Sequence, residues 1–301
     1  MPDVPVLMPV SQCLPDWMDD YAERERSYLN GEARGAVTGL RYLDQLLTGC
    51  LMPGLHYLTG GSGTGKSALL LQIAVHCGVP IVYLQCEMSR NELINRLICN
   101  INGASLSKLK SGQYKPEEIK AFTGVLQTRC QHMSILDGTK SYVDINQLSE
   151  ACKTARSEHR NCLLIIDSFH SWSQSVSLRM DAPFSSQNEY TNLRDHVTAC
   201  KRLSGELNAP ILLATERNRH SAGGLSTAKG YGVEYSAETM INLVSADEYD
   251  PDAYSKKVAV YVEKNRHGRT LEQYEGKPAD AKYKLHYDLL KQQFTESTKP
   301  S

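Results

Sequence analysis

The residues Gly60-Gly61-Ser62-Gly63-Thr64-Gly65-Lys66-Ser67 fit the pattern G-x-x-x-x-G-K-[ST], and they lie between an apolar strand-like run, Leu55 to Thr59, and an apolar helix-like run, Ala68 to Cys77. A glycine-rich turn that ends at a helix N-terminus can wrap its backbone N–H groups around an anion, because glycine brings no Cβ clash and the helix end carries partial positive charge. Lys66 adds a full positive charge at the same place. Ser67 presents a hydroxyl to Mg²⁺, a hard cation that takes oxygen ligands. The expected ligand is therefore the β- and γ-phosphates of a nucleotide with Mg²⁺, and the strand, loop and helix form the first unit of an α/β sheet.

The rest of the chain continues that alternation. Ile81 to Cys86 reads as a buried strand, and Ser89 with Glu92 caps a helix bearing Leu93, Ile94, Leu97, Ile98 and Ile101. Pro116 opens a helix through Cys130, Met133 to Leu136 reads as a strand, and Asp144 with Gln147 caps a helix through Arg156. Cys162 to Ile166 is an apolar strand, and a helix from about Asn188 to Leu207 precedes a strand from Ile211 to Ala214. Strands alternating with helices predict a mostly parallel sheet covered on both faces. Met240 to Val244, Val258 to Val262 and Tyr283 to Tyr287 follow with no helix between them, which predicts an antiparallel extension. The expected division is a tail and linker helix over 1–36, with the helix from Pro15 to Leu29, an ATPase domain over 37–290, and a disordered tail over 291–301.

With 301 residues, 41% hydrophobic and 22% charged, the chain has the composition of a globular protein with a large core. No apolar run reaches bilayer length and no secretory leader is evident, so a cytoplasmic setting is expected. The nine cysteines stand singly, without a C-x-x-C, and read as reduced packing residues. A net charge of −1 excludes a wholly basic nucleic-acid coat protein but not a local basic loop.

Two carboxylates complete a hydrolytic reading. Asp167 ends the run Cys162 to Ile166, which places it at the carboxyl tip of a buried strand, where an acidic residue holds Mg²⁺. Glu87 ends the run from Ile81 in the same way and is assigned to activating the attacking water.

Gly60 to Ser67, Leu84-Gln85-Cys86-Glu87-Met88 and Leu164-Ile165-Ile166-Asp167, in that order, resemble the RecA-type ATPases, and above all the motor domain of DnaB-type replicative helicases. Glu206 to Thr215 with Asn218-Arg219 is similar to that family's sensor strand, and Val262 to Gly268 resembles its lysine and arginine fingers, here Lys264 and Arg266. The resemblance implies a helicase or translocase that couples ATP hydrolysis to movement on single-stranded DNA. It also implies a homo-oligomeric ring, a hexamer, with fingers acting on a neighbour's ATP, and a loader or other replication or recombination partner. The residues support the fingers independently: Lys264 and Arg266 are two apart on a strand, so both should leave one face before a His267-Gly268 turn. Where the family has a glutamine that senses the γ-phosphate, this chain has Glu216. A carboxylate there repels phosphate unless Arg217 or the metal compensates. Fewer residues precede Thr38 than the family's helical N-terminal domain needs, and Pro15 to Leu29 is similar to its linker helix.

For DNA, the segments Ser168 to Gln187, with Arg179, and Arg217 to Ala237, with Arg217, Arg219 and Lys229, offer basic side chains and backbone N–H groups that could track phosphates. Trp172 and Tyr231 are candidates for stacking on bases. The alternative is a nucleotide-gated regulatory or recombination ATPase of the KaiC or RadA kind, without unwinding. DNA-stimulated hydrolysis separates the two.

Overall fold

The computed structural model describes residues 7–157, 161–179, 186–216, 233–246, 254–271 and 281–296. The chain divides into two units, Met1–Arg34 and Gly35–Ser301.

In the first unit, α1 (Val10–Asn30) has an extended Pro9 at its N-cap and ends at Gly31, whose φ of 66° lets Gly31 and Glu32 donate back to Tyr28 and Ser27 carbonyls. The helix starts five residues before the expected Pro15, so Val10 to Leu14 are helical rather than a loose tail. Pro15 lies in its second turn, where its missing N–H removes one hydrogen bond. None of its residues is buried, and Trp17 and Tyr21 stack with centroids 5.5 Å apart.

The second unit runs α2 (Arg41–Leu46), β1 (Gly54–Gly60), α3 (Lys66–His76), β2 (Ile81–Gln85), α4 (Arg90–Asn102), α5 (Leu106–Lys110) and α6 (Pro116–Arg129). It continues with β3 (Met133–Asp137), α7 (Ile145–Arg156), β4 (Leu163–Asp167), α8 (Phe169–Arg179), α9 (Ser186–Leu207) and β5 (Pro210–Glu216). The last elements are α10 (Val233–Ser236), β6 (Ala237–Ser245), β7 (Ser255–Asn265), β8 (Lys284–Asp288) and β9 (Gln293–Glu296). The strands form one nine-stranded sheet in the order β3-β2-β4-β5-β1-β6-β7-β8-β9. Pairing is parallel from β3 through β6 and antiparallel from β6 to β9.

Alternation along the central strands explains the two layers of helices. Ile81, Tyr83, Leu163 and Ile165 enter one apolar cluster with α3 and α4, while Val82, Leu84, Leu164 and Ile166 enter another with α7, α8 and α9. A strand buried on both faces cannot show polar alternation, which is why β2 and β4 read as continuous apolar runs. α3 is buried from Ala68 to Val75, so it is covered on all sides and holds its N-terminus firmly under the phosphate loop. The capping box of α7 forms as its sequence predicts, with Asp144 accepting from Asn146 and Gln147.

Two expectations are corrected. The stretch assigned to a disordered tail contains β9, whose Phe294 is buried; Gln72 clamps its backbone by donating from Nε2 to the Phe294 carbonyl at 2.9 Å and accepting from its N–H at 2.7 Å. Trp172, a stacking candidate in the segment from Ser168, lies in α8, which buries it together with Phe169 and Val176. Trp172 donates from its indole nitrogen to the Val143 carbonyl at 2.8 Å and is core, not a stacking platform.

His56 on β1 is buried with Nε2 only 2.6 Å from the Met52 carbonyl, so that nitrogen donates and Nδ1 is left bare and without a partner. Burial, only partly opposed by the Met52 bond, lowers its pKa to about 4. The unfolded chain takes up this proton near pH 6.5 and the folded chain only near pH 4, so stability is lost as pH falls through that window, by up to about 3 kcal/mol. His56→Gln should flatten this acid limb in urea melts run from pH 7 to 4. An unchanged slope would place the loss elsewhere.

Candidate active site

β1 delivers the chain into the phosphate loop at its carboxyl end. The glycines there answer to close approach as well as to φ: a Cβ on Gly60 would lie 2.8 Å from the Leu243 carbonyl oxygen. Gly65, at φ 95°, would meet Phe294 Cζ at 2.7 Å and Tyr287 Cε1 at 2.9 Å. These two rings stack with centroids 4.3 Å apart and planes 8° apart, forming a floor beneath the loop. Lys256 donates to the Gly63 carbonyl, and its ammonium lies 5.7 Å from the centre of the Tyr287 ring. Thr64 Oγ1 donates to the Gly61 carbonyl at 2.9 Å. Lys66 folds back and donates to the carbonyls of Gly60 at 2.9 Å and Gly61 at 3.1 Å.

Asp167 is the last residue of β4 and is buried, with Tyr83 donating its hydroxyl to Oδ2 at 2.8 Å. Burial raises the Asp167 pKa; hydrogen bonds from Ser67 and Tyr83 pull it back, and the Glu87 charge raises it. Ser67 and Asp167 thus touch, and a hard cation in place of the proton between them would find two oxygen ligands side by side. The donor set fits Mg²⁺.

Glu87 stands two residues beyond the end of β2, and its Oε1 accepts from the hydroxyls of Ser168 and, at 3.0 Å, Ser171. Glu216 ends β5 in register with Gly60. Burial lowers the Lys66 pKa, while Glu216, Glu87 and Asp167, in that order, oppose the shift. Three carboxylates from three strand ends therefore surround one ammonium, at the crevice where open α/β sheets bind ligands.

The fingers lie elsewhere on the same sheet. Lys264 pairs with Met240 on β6, and the Arg266 N–H donates to the Glu238 carbonyl at 2.9 Å, whereas Gly60 is level with Leu243. At about 3.3 Å per residue, Lys264 is displaced from the loop by roughly 10 Å and Arg266 by roughly 16 Å, toward the opposite end of β1. β7 ends at Asn265; its register shifts at Glu263, between Val262 and Lys264, and the pairing then runs on evenly, with Lys264 opposite Met240 and Asn265 opposite Thr239. Arg266, past the strand, donates from Nε to the Ala237 carbonyl at 3.1 Å and from a terminal nitrogen to the Tyr235 carbonyl at 3.0 Å, with Glu238 Oε2 3.7 Å away. About half of its side-chain surface, 48%, stays exposed.

Of the basic residues assigned to DNA, Arg179 is the last residue of α8, and Arg217, Arg219 and Lys229 lie outside the described residues, as does Tyr231. Sequence reasoning missed Tyr83, Ser171 and Lys256, which reach the site from strands and a helix far apart in the chain and fit no short pattern. Ser168, directly after Asp167, had at least its position as a signal.

Residues 35–274 match the family described as "DnaB-like helicase C terminal domain". The chain is similar to the replicative DNA helicase DnaB of Geobacillus stearothermophilus, 22% identical over 251 residues that cover 79% of this chain and 54% of that protein. It is also similar to a probable plasmid replicative DNA helicase of Chlamydia trachomatis, 25% identical over 216 residues, 68% of this chain and 44% of that protein. The chain thus spans about half the length of the curated relatives it matches. Among solved structures, an ATPase domain superposes with a TM-score of 0.75 at 17% identity, covering 95% of this chain and 99% of that one. A DnaB-like replicative helicase, solved in a study of its interactions with primase, gives 0.71 at 18% identity, over 97% of this chain and 67% of that one. A KaiC-like protein from Pyrococcus horikoshii gives 0.54 at 19% identity, over 88% of this chain and 100% of that one. These likenesses establish the RecA-like fold. By the match over 35–274, the chain belongs to the DnaB-like helicase C-terminal domain family.

Proposed function

We propose that this chain is an ATP-driven DNA helicase or translocase, hydrolysing ATP at the interfaces of a hexamer of identical copies and moving on single-stranded DNA. The observation that carries this reading is the separation on one sheet between the loop with its carboxylates and the basic pair Lys264 and Arg266. A finger roughly 16 Å down the sheet from its own loop serves hydrolysis only by reaching another copy's nucleotide.

In this reading the loop N–H groups and Lys66 hold the phosphates, and Ser67 and Asp167 would hold Mg²⁺. Held there, the ion would supply charge neutralisation to the phosphates. Glu87, oriented by Ser168 and Ser171, accepts a proton from the attacking water. Glu216 keeps Lys66 charged beside the nucleotide. The neighbour's Lys264 and Arg266 stabilise charge that develops on the terminal phosphate. Arg179, Arg217, Arg219 and Lys229, following the carboxyl ends of β4 and β5, contact the DNA backbone, and a loader or other replication or recombination protein is a further partner. No helix among the described residues is long and apolar enough to cross a membrane; a cytoplasmic setting is part of the proposal.

The test is ATP hydrolysis with and without single-stranded DNA, beside unwinding of a forked duplex. Stimulation of about tenfold or more is expected, and Lys66→Ala should abolish it. Hydrolysis indifferent to DNA would favour the nucleotide-gated regulator of the KaiC kind.

A further inference from the structure

A hydrogen-bonded thread crosses the sheet from the strand entering the phosphate loop to the strand carrying the fingers. Thr59, the residue before Gly60, donates from Oγ1 to Asn242 Oδ1 at 3.1 Å and has the Ile241 carbonyl as a second acceptor at 3.4 Å. Asn242, fully buried on β6, donates from Nδ2 to Glu263 Oε1 at 3.1 Å. The amide can face only one way, because a carboxylate accepts and never donates, so Nδ2 must meet Glu263 and Oδ1 must meet Thr59.

Glu263 is the extra residue where the pairing jumps from Ile241–Val262 to Met240–Lys264. Such a bulge leaves its extra residue outside the ladder and re-aims the side chains beside it. Here the neighbour is Lys264. The other end of the thread abuts Gly60, whose carbonyl accepts from Lys66; when the lysine turns to a phosphate, that carbonyl loses the ammonium next to a hydroxyl with two acceptors in reach.

We propose that Asn242 and Glu263 are positioning residues that tie the state of a subunit's own phosphate loop to the aim of the same subunit's Lys264 and Arg266 at a neighbouring nucleotide. This rests on the reading of the fingers as acting in trans.

Hydrogen exchange on the 301-residue chain, with and without a non-hydrolysable ATP analogue and Mg²⁺, tests the link. Binding of the analogue should change amide exchange over residues 262–266 by about threefold or more in the wild type and in Glu263→Gln, which keeps the oxygen that accepts from Asn242. In Glu263→Ala the analogue should bind within about twofold of wild-type affinity, the exchange change should vanish, and kcat should fall about tenfold at unchanged KM. An exchange change that survives in Glu263→Ala, one that is absent from the wild type, or a Glu263→Gln protein that behaves like the alanine variant overturns the thread. If Arg266→Ala hydrolyses ATP like the wild type, the trans reading falls and the thread with it. If Arg266→Ala is inactive while the exchange change persists in Glu263→Ala, only the thread falls.

Discussion

Arg266→Ala is expected to lower DNA-stimulated ATP hydrolysis about a thousandfold while nucleotide affinity stays within about twofold of wild type. Both halves follow from the register. Arg266 is level with Glu238, near the start of β6, and so stands far from its own loop; deleting it leaves the Lys66, Ser67 and Asp167 contacts of that subunit intact. Its loss would be felt only as charge develops on the neighbour's terminal phosphate, which is a kcat effect. Arg266→Lys should recover little, because an ammonium cannot reproduce the planar fork that now bridges the Tyr235 and Ala237 carbonyls. Those two bonds must be exchanged for contacts with the neighbour, so the guanidinium is held ready rather than free. A variant with wild-type turnover would remove the finger from the mechanism.

Phe294→Ala is expected to cost about 3–5 kcal/mol of stability and, at temperatures where the chain stays folded, to weaken nucleotide binding. Phe294 is buried, stacks on Tyr287 and forms the floor under Gly65, so a cavity opens directly beneath the loop. Ending the chain after Lys291 should do more harm, since it also removes the clamp that Gln72 places on the Phe294 backbone. Urea melts beside nucleotide titrations separate the two effects. A Phe294→Ala protein as stable as wild type would return 291–301 to the disordered tail that its polar composition suggests.

The contrast shows where sequence reasoning has purchase. The phosphate loop, Asp167 and Glu87 were legible because each is a local pattern: a glycine-rich turn, or an acidic residue after an apolar strand buried on both faces. The capping box at Asp144 was legible for the same reason. β9 was not, because Gln293 to Glu296 is short and, apart from Phe294, polar, and part of what holds it lies in α3, where Gln72 reaches it from far away in sequence. Trp172 looked available in a polar stretch until α8 turned it into the core. The bulge at Glu263 was not legible either, because a bulge depends on cross-strand partners that no window of sequence contains.

The central claim, that one nucleotide site is built by two copies, is tested most directly by mixing two inactive proteins. Lys66→Ala supplies fingers but no working loop, and Arg266→Ala supplies a loop but no finger. In an equal mixture about a quarter of the interfaces in a closed ring pair an intact loop with an intact finger, so DNA-stimulated hydrolysis should rise well above the sum of the two separate activities. A mixture that only matches that sum would contradict a site shared between copies.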